Sequence, residues 1–131
     1  PACLSSLANS LENDPSIGII CPNYTSIDMT EDHQVFNTCG SRYDGTGGLA
    51  GFAMMLRSDV VKVWNFDENL TWWYGDDDVL LWVTRTMGMH AVISHAARCQ
   101  HADSVTIRTN PPADFGRLVA EDREYFRAKW L

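Results

Sequence analysis

Leu4, Leu7, Ala8 and Leu11 recur at intervals of three and four, so residues 3–13 are predicted to form an amphipathic helix. Asp14-Pro15 ends it, because proline steers the preceding residue away from helical backbone. Ile17, Ile19, Ile20 and Cys21 form a short, mostly β-branched run that predicts a buried strand, stopped at Pro22. From 23 to 47 the chain carries Asn, Thr, Ser, Asp and Gly without a period and reads as a long excursion of the functional or mobile kind. Leu49 to Leu56 is apolar between glycines and predicts a second buried strand, and Ser58 stands as N-cap of a short helix through Trp64. Asn65 to Tyr74 mixes aromatic and polar residues, as a loop does. Asp76 opens a further helix with Val79, Leu80, Val83 and Met87 on one side and Gly88 as its C-terminal stop. His90 to His95 and Ala97 to His101 read as extended segments. After the break at Pro111-Pro112, the residues Phe115, Leu118, Val119, Asp122, Tyr125 and Phe126 fit a terminal helix with one mostly apolar face. Helices mixed with strands place the chain in the α/β class, a mixed sheet flanked by helices.

Composition narrows the partners more than the fold. The 131 residues are enough for one domain with a real core, and 45% hydrophobic against 21% charged residues excludes a disordered chain. Acidic residues outnumber basic ones 17 to 10, the net charge is -7, and Lys and Arg are nowhere clustered. Nucleic acids and anionic membrane surfaces demand a basic footprint, so both are excluded as partners. No stretch approaches the roughly 20 apolar residues that span a bilayer. Cys3, Cys21, Cys39 and Cys99 form no C-x-x-C pair and read as buried free thiols of a reducing compartment, which points to the cytoplasm.

Five features could carry chemistry. Asp76-Asp77-Asp78 opens a helix, and neighbouring helical residues point about 100° apart, so one carboxylate is expected to cap, one to meet water and one to face a cleft. The helix N-terminus favours the ionised forms while mutual repulsion raises at least one pKa, a conflict that can make a general base; the plain alternative is an acidic cap. The Gly45-Thr46-Gly47-Gly48 run with Gly51 precedes a strand and has the wrong spacing for a dinucleotide loop, so a backbone that bends or approaches a ligand closely is expected instead. His95, Cys99 and His101 are ligand-type residues without a second pair, which excludes a structural zinc and leaves one metal-ligating His or simply hydrogen-bonded histidines. Asp67, Asn69, Thr71 and Asp78 have calcium-loop offsets, but Trp72 stands where glycine is required and no Glu closes the loop, so calcium is excluded. Trp72, Trp73 and Tyr74 beside the acidic triplet offer faces for sugar rings or simply core volume.

Taken in order, these features resemble the second half of the family-2 glycosyltransferases, inverting enzymes with the GT-A fold. The shared pattern is Gly51 before a short helix from Ser58, Phe66-Asp67-Glu68, the aromatics Trp72 to Tyr74, Gly75-Asp76-Asp77, a helix ending at Gly88, a strand, and His101. The first helix, Asp14-Pro15, the strand ending at Pro22 and the Asp122 to Trp130 helix also match, so the resemblance covers nearly the whole chain. It implies single displacement at an anomeric carbon, with Asp77 as general base toward the acceptor hydroxyl and Asp76 positioning the acceptor. It further implies that Gly48 and Gly51 line the acceptor cleft, that Trp72, Trp73 and Tyr74 contact the acceptor sugar, and that His101 touches a divalent cation (manganese or magnesium) or the diphosphate.

Two departures qualify the match. Asp76 replaces the family's Glu, and the family's carboxylate further along that helix falls at Val79. The family's nucleotide-binding strands and its Asp-x-Asp metal motif would lie before Pro1. The resemblance therefore implies an acceptor-side half domain, residues 1–131, incomplete and inactive by itself, with a nucleotide-sugar donor and a carbohydrate acceptor as ligands. The alternative is a carbohydrate-binding or assembly module that kept the acceptor half and lost catalysis. In either case Ile17, Ile19 and Ile20, or the Leu49 to Leu56 run, are expected at an open sheet edge that pairs with a separate donor-half chain or a second copy.

Overall fold

The computed structural model describes residues 2–25, 28–35, 48–102 and 105–131. Strands β1 (Ile17–Asn23) and β4 (His90–Arg98) run parallel at the centre of a mixed sheet, with the two-residue strands β2 (His33–Gln34) and β3 (Met55–Leu56) antiparallel outside them in the order β2-β4-β1-β3. All of β1 is buried, as a near-continuous apolar run in a parallel pair requires. The sheet separates two core clusters, with an irregularity between Ile17 and Ile19 putting Ile17 and Ile20 on the same face, and a third, smaller cluster forms around Tyr74, Leu81 and Phe126. Ile17, Ile20 and Val92 pack with Leu7 and Leu11 of helix α1 (Ala2–Asn13), each such leucine worth about 2 kcal/mol of burial. Ile19, Cys21 and Ile93 pack on the other face with Val60 of α2 (Ser58–Val63) and with Val79 and Leu80 of α3 (Gly75–Leu81). Helix α3 continues as a π-helical turn over Trp82–Thr86, in which the Met87 amide donates to the Trp82 carbonyl at 3.1 Å. It stops at Gly88, whose φ of +65° favours a residue without Cβ. Helices α4 (Val105–Thr109) and α5 (Phe115–Trp130) complete the chain.

The α/β class and the order of helices follow the hydrophobic pattern, and the differences have local causes. Strand β1 runs through Pro22 to Asn23 because β4 accompanies it, with Pro22 opposite Ser94 and Asn23 opposite Arg98. The first extended segment expected after residue 90 and the start of the second form one irregular strand, β4, which ends at Arg98. The Leu49 to Leu56 run is strand only at Met55-Leu56, since the chain turns first, the Ala53 amide donating to the Ala50 carbonyl at 2.9 Å. Arg57, not Ser58, occupies the N-cap of α2, and no side chain caps that end. Within the excursion expected over residues 23–47, β1 extends to Asn23 and β2 forms at His33–Gln34. Of the two segments expected at a sheet edge, Ile17, Ile19 and Ile20 are not there, since β1 is flanked by β4 and, at Ile19 and Ile20, by β3. The Leu49 to Leu56 run does supply an edge strand, β3, which at two residues is too short to offer much of a template. Cys3, Cys21 and Cys99 are free thiols, but only Cys21 is buried, and burial pushes its pKa up to about 12. Cys39 and the Gly45 to Gly47 stretch lie outside the described residues. Among the described residues no helix is long and apolar enough to cross a membrane.

One side chain ties the first helix to the sheet. Arg57, at the exit of β3, donates to the Ile17 carbonyl at 2.8 Å, to the Asp14 carbonyl at 2.6 Å and to the Leu11 carbonyl in the last turn of α1. A helix C-terminus presents unpaired carbonyls and negative dipole charge, and a guanidinium fork answers both. Replacing Arg57 by Ala is expected to cost about 2 kcal/mol, the worth of hydrogen bonds from a charged donor. Thermal unfolding followed by circular dichroism checks this, and Arg57→Lys is expected to recover less than half because one ammonium cannot reproduce the fork.

Candidate active site at the head of the acidic helix

The aromatic loop from Asn65 to Tyr74 is held by one face of α5. Asp122 is 2% exposed and accepts four hydrogen bonds from the loop: the Trp72 amide at 2.7 Å, the Trp73 amide at 2.8 Å, and the Thr71 amide and hydroxyl at 3.2 Å each. Burial pushes the Asp122 pKa up, but these donors outweigh it and hold the carboxyl below its ordinary value. Three to four residues on, Tyr125 donates to Asp67 at 2.9 Å and Phe126 stacks on Tyr74 with centroids 5.0 Å apart. One further turn on, Lys129 reaches Asp67 at 2.8 Å and Asp78 at 2.7 Å. Asp67 also accepts the Asn69 amide at 3.0 Å, which folds the loop start into an Asx turn. Its pKa lies far below the usual carboxylate range, with Lys129 the largest cause. The loop ends at Tyr74, buried in a left-handed conformation (φ 65°) that non-glycine residues rarely adopt. The ring stack on Phe126 and the Arg123 Nε donating to its hydroxyl at 3.1 Å hold it there.

The three aspartates that follow have three different surroundings, none of them the cap-and-solvent division expected. Tyr74 is the N-cap of α3, and no side chain caps that end. Asp78 is 1% exposed and structural: it accepts from the indole N–H groups of Trp64 at 3.2 Å and Trp130 at 2.8 Å as well as from Lys129. Asp77 is 6% exposed. Asp76 is partly buried with its carboxylate against Gly51, so close that a Cβ built there would sit 2.4 Å from Oδ2. Burial raises the Asp76 pKa, opposed by its own amide and that of Asp77 at the helix start.

Gly51 is thus the close approach the glycine-rich stretch predicts, and its neighbours extend the site. Phe52 packs on the His101 ring at 3.8 Å between centroids and meets Tyr24 edge-on at 5.5 Å, while the Tyr24 hydroxyl donates to the Gly48 carbonyl at 3.1 Å. Gly48, Gly51, Asp76 and His101 are therefore linked through contacts, with Phe52 and Tyr24 as members the sequence reading missed. Trp72 and Trp73 stand 45% and 42% exposed on the loop leading into α3, both edge-on to Phe115 at 6.1 Å. The ligand-type trio separates: His95 bonds Asp32, the Cys99 amide donates to the Asn23 carbonyl, and His101 lies on Phe52. No three His, Cys, Asp or Glu side chains among the described residues form a group able to hold a metal ion.

No family model, curated protein or solved structure matches the chain.

The lowered pKa of Asp122 has a signed consequence. Its folded pKa lies below the unfolded one, so its contribution is present at neutral pH and is lost as pH falls from about 4 through the folded value. Asp122→Asn is expected to lower stability by about 2 kcal/mol at pH 7, and the gap from the wild type is expected to narrow steadily below pH of about 4. Urea unfolding at a series of pH values checks this; a gap independent of pH would contradict the assignment.

Proposed function

We propose that the chain is the acceptor-side half of an inverting glycosyltransferase that moves a sugar from a nucleotide-sugar donor to an acceptor hydroxyl. The observation that supports this best is a carboxylate of raised pKa, Asp76, at a helix start against the glycine turn at Gly51, with Trp72 and Trp73 exposed on the adjoining loop. A general base must reach its proton and hold it during attack, and a raised pKa serves the second need. In the proposed step the acceptor oxygen forms a bond to the anomeric carbon as its proton passes to the carboxylate. The bond from that carbon to the nucleotide diphosphate breaks, and its electron pair leaves with the diphosphate. The exposed indole faces suit the C–H faces of an acceptor sugar. A divalent cation would neutralise the leaving diphosphate, and the reading assigns its ligands to a nucleotide-binding half rather than to this chain.

Exposure divides the roles differently from the resemblance. Asp77, the expected base, is 6% exposed, whereas Asp76 is the more open of the pair. The proposal accordingly gives the proton to Asp76 and makes Asp77 a positioning residue. In an enzyme reconstituted with a donor half, Asp76→Asn is expected to cut kcat about 100-fold, the low end for a general base, and to leave acceptor binding in place. Asp77→Asn is expected to cost less and to keep the pH dependence of kcat. Gly51→Ala, whose methyl takes the space of the Asp76 carboxylate, is expected to lower kcat without unfolding the chain. Near-normal turnover by Asp76→Asn, with loss confined to Asp77→Asn, would return the base to Asp77. Turnover indifferent to both would remove the enzyme reading.

A further inference from the structure

A concavity lies on the face of the sheet away from α3, in the groove between α1 and the β2–β4 edge. It holds about 530 Å³, within the range of small-molecule clefts. One wall is a single stripe of α1, formed by Ser6, Asn9, Ser10 and Asn13 at helical spacing. Serine and asparagine are poor choices for a helix that merely meets water, because their side chains compete for backbone hydrogen bonds, and Glu, Lys or Gln would serve better. None of the four bonds another described residue through its side chain. Being short they keep the groove open, and each carries both donor and acceptor capacity.

The rest of the lining complements that wall. Val92 and Ala96 of β4 give an apolar floor. At the rim stand two carboxylates already fixed in place. Asp14 accepts the Ser16 amide at 2.9 Å and hydroxyl at 2.6 Å, and Asp32 accepts the His95 amide at 2.9 Å with the ring Nδ1 at 3.0 Å. No Lys or Arg lines the groove.

We propose that this groove binds an uncharged carbohydrate, a short oligosaccharide. Its hydroxyls, donors and acceptors at once, pair with the Ser and Asn wall and donate to the two carboxylates. Its C–H faces lie on Val92 and Ala96. Arg57 and His90 lie near Asp14 and His95 pairs with Asp32, but no Lys or Arg lines the groove and the two rim carboxylates disfavour phosphate, sulfate and uronate groups, so the groove suits a neutral sugar and is independent of the Asp76 reading.

Titration of the labelled chain with neutral trisaccharides (maltotriose, cellotriose, mannotriose and N,N′,N″-triacetylchitotriose) and with trigalacturonate, followed by amide chemical shifts, tests this. At least one neutral trisaccharide is expected to shift residues 6–14, 32–34 and 92–96 at millimolar concentration, and trigalacturonate is not. Asn9→Ala, which favours the helix, and Asp32→Asn are each expected to weaken that binding about five-fold, the worth of one net hydrogen bond. Absence of shifts with every neutral sugar, shifts confined to Trp72 and Trp73, equal response to trigalacturonate, or binding untouched by both variants would overturn the proposal.

Discussion

A carboxylate on α5 that accepts three consecutive backbone amides is the constraint on which the candidate site depends. The segment Thr71 to Trp73 lies outside helix and sheet, so its N–H groups have no ladder to join. Asp122 satisfies all three and the Thr71 hydroxyl besides. With those amides turned inward toward one side chain, the loop follows one path into Tyr74, and Tyr74 takes the left-handed conformation that opens α3. The direction in which Asp76, Asp77 and Asp78 leave the helix start follows from that path.

The same helix sorts the three aspartates by energy. A buried carboxylate needs partners, and α5 supplies them to Asp78 through Lys129 and Trp130, with Trp64 from the end of α2. Asp78 is thereby committed to holding three elements together. Asp76, turned toward the Gly51 backbone, has only helix-start amides against its burial, and its proton affinity rises. One short acidic run thus yields an anchor and a candidate base, and the difference between them is which neighbours donate.

How much of this was legible depends on the range of the interactions. Local period and turn chemistry were enough for α1, β1, α2, the start of α3, Gly88 and α5. Leu49 to Leu56 misled because an apolar run between glycines reads the same whether it is strand or turn, and only contact with β1 decides. The central place of β1 was equally invisible, since neither strand order nor flanking partners are written locally. At the site, the acidic triplet and Gly51 were legible as residues of interest, but their separate roles were not. Those roles are set by Lys129, Trp130 and Trp64, which lie 14 to 52 positions away from Asp78 in the chain. Asp122 did leave a trace, a lone acid on an otherwise apolar helical face, and such a residue has to find donors on whatever that face covers.

Native-state hydrogen exchange at the amides of Thr71, Trp72 and Trp73 tests the central constraint most directly. Loop amides open to water exchange almost freely, whereas amides held by a buried carboxylate exchange only when α5 lifts away or the chain unfolds. The account predicts protection of Trp72 and Trp73 approaching that of core amides in β1 and β4, with Thr71 protected more weakly at its longer distance. Exchange of all three at the rate of exposed loop amides, beside a protected core, would contradict it.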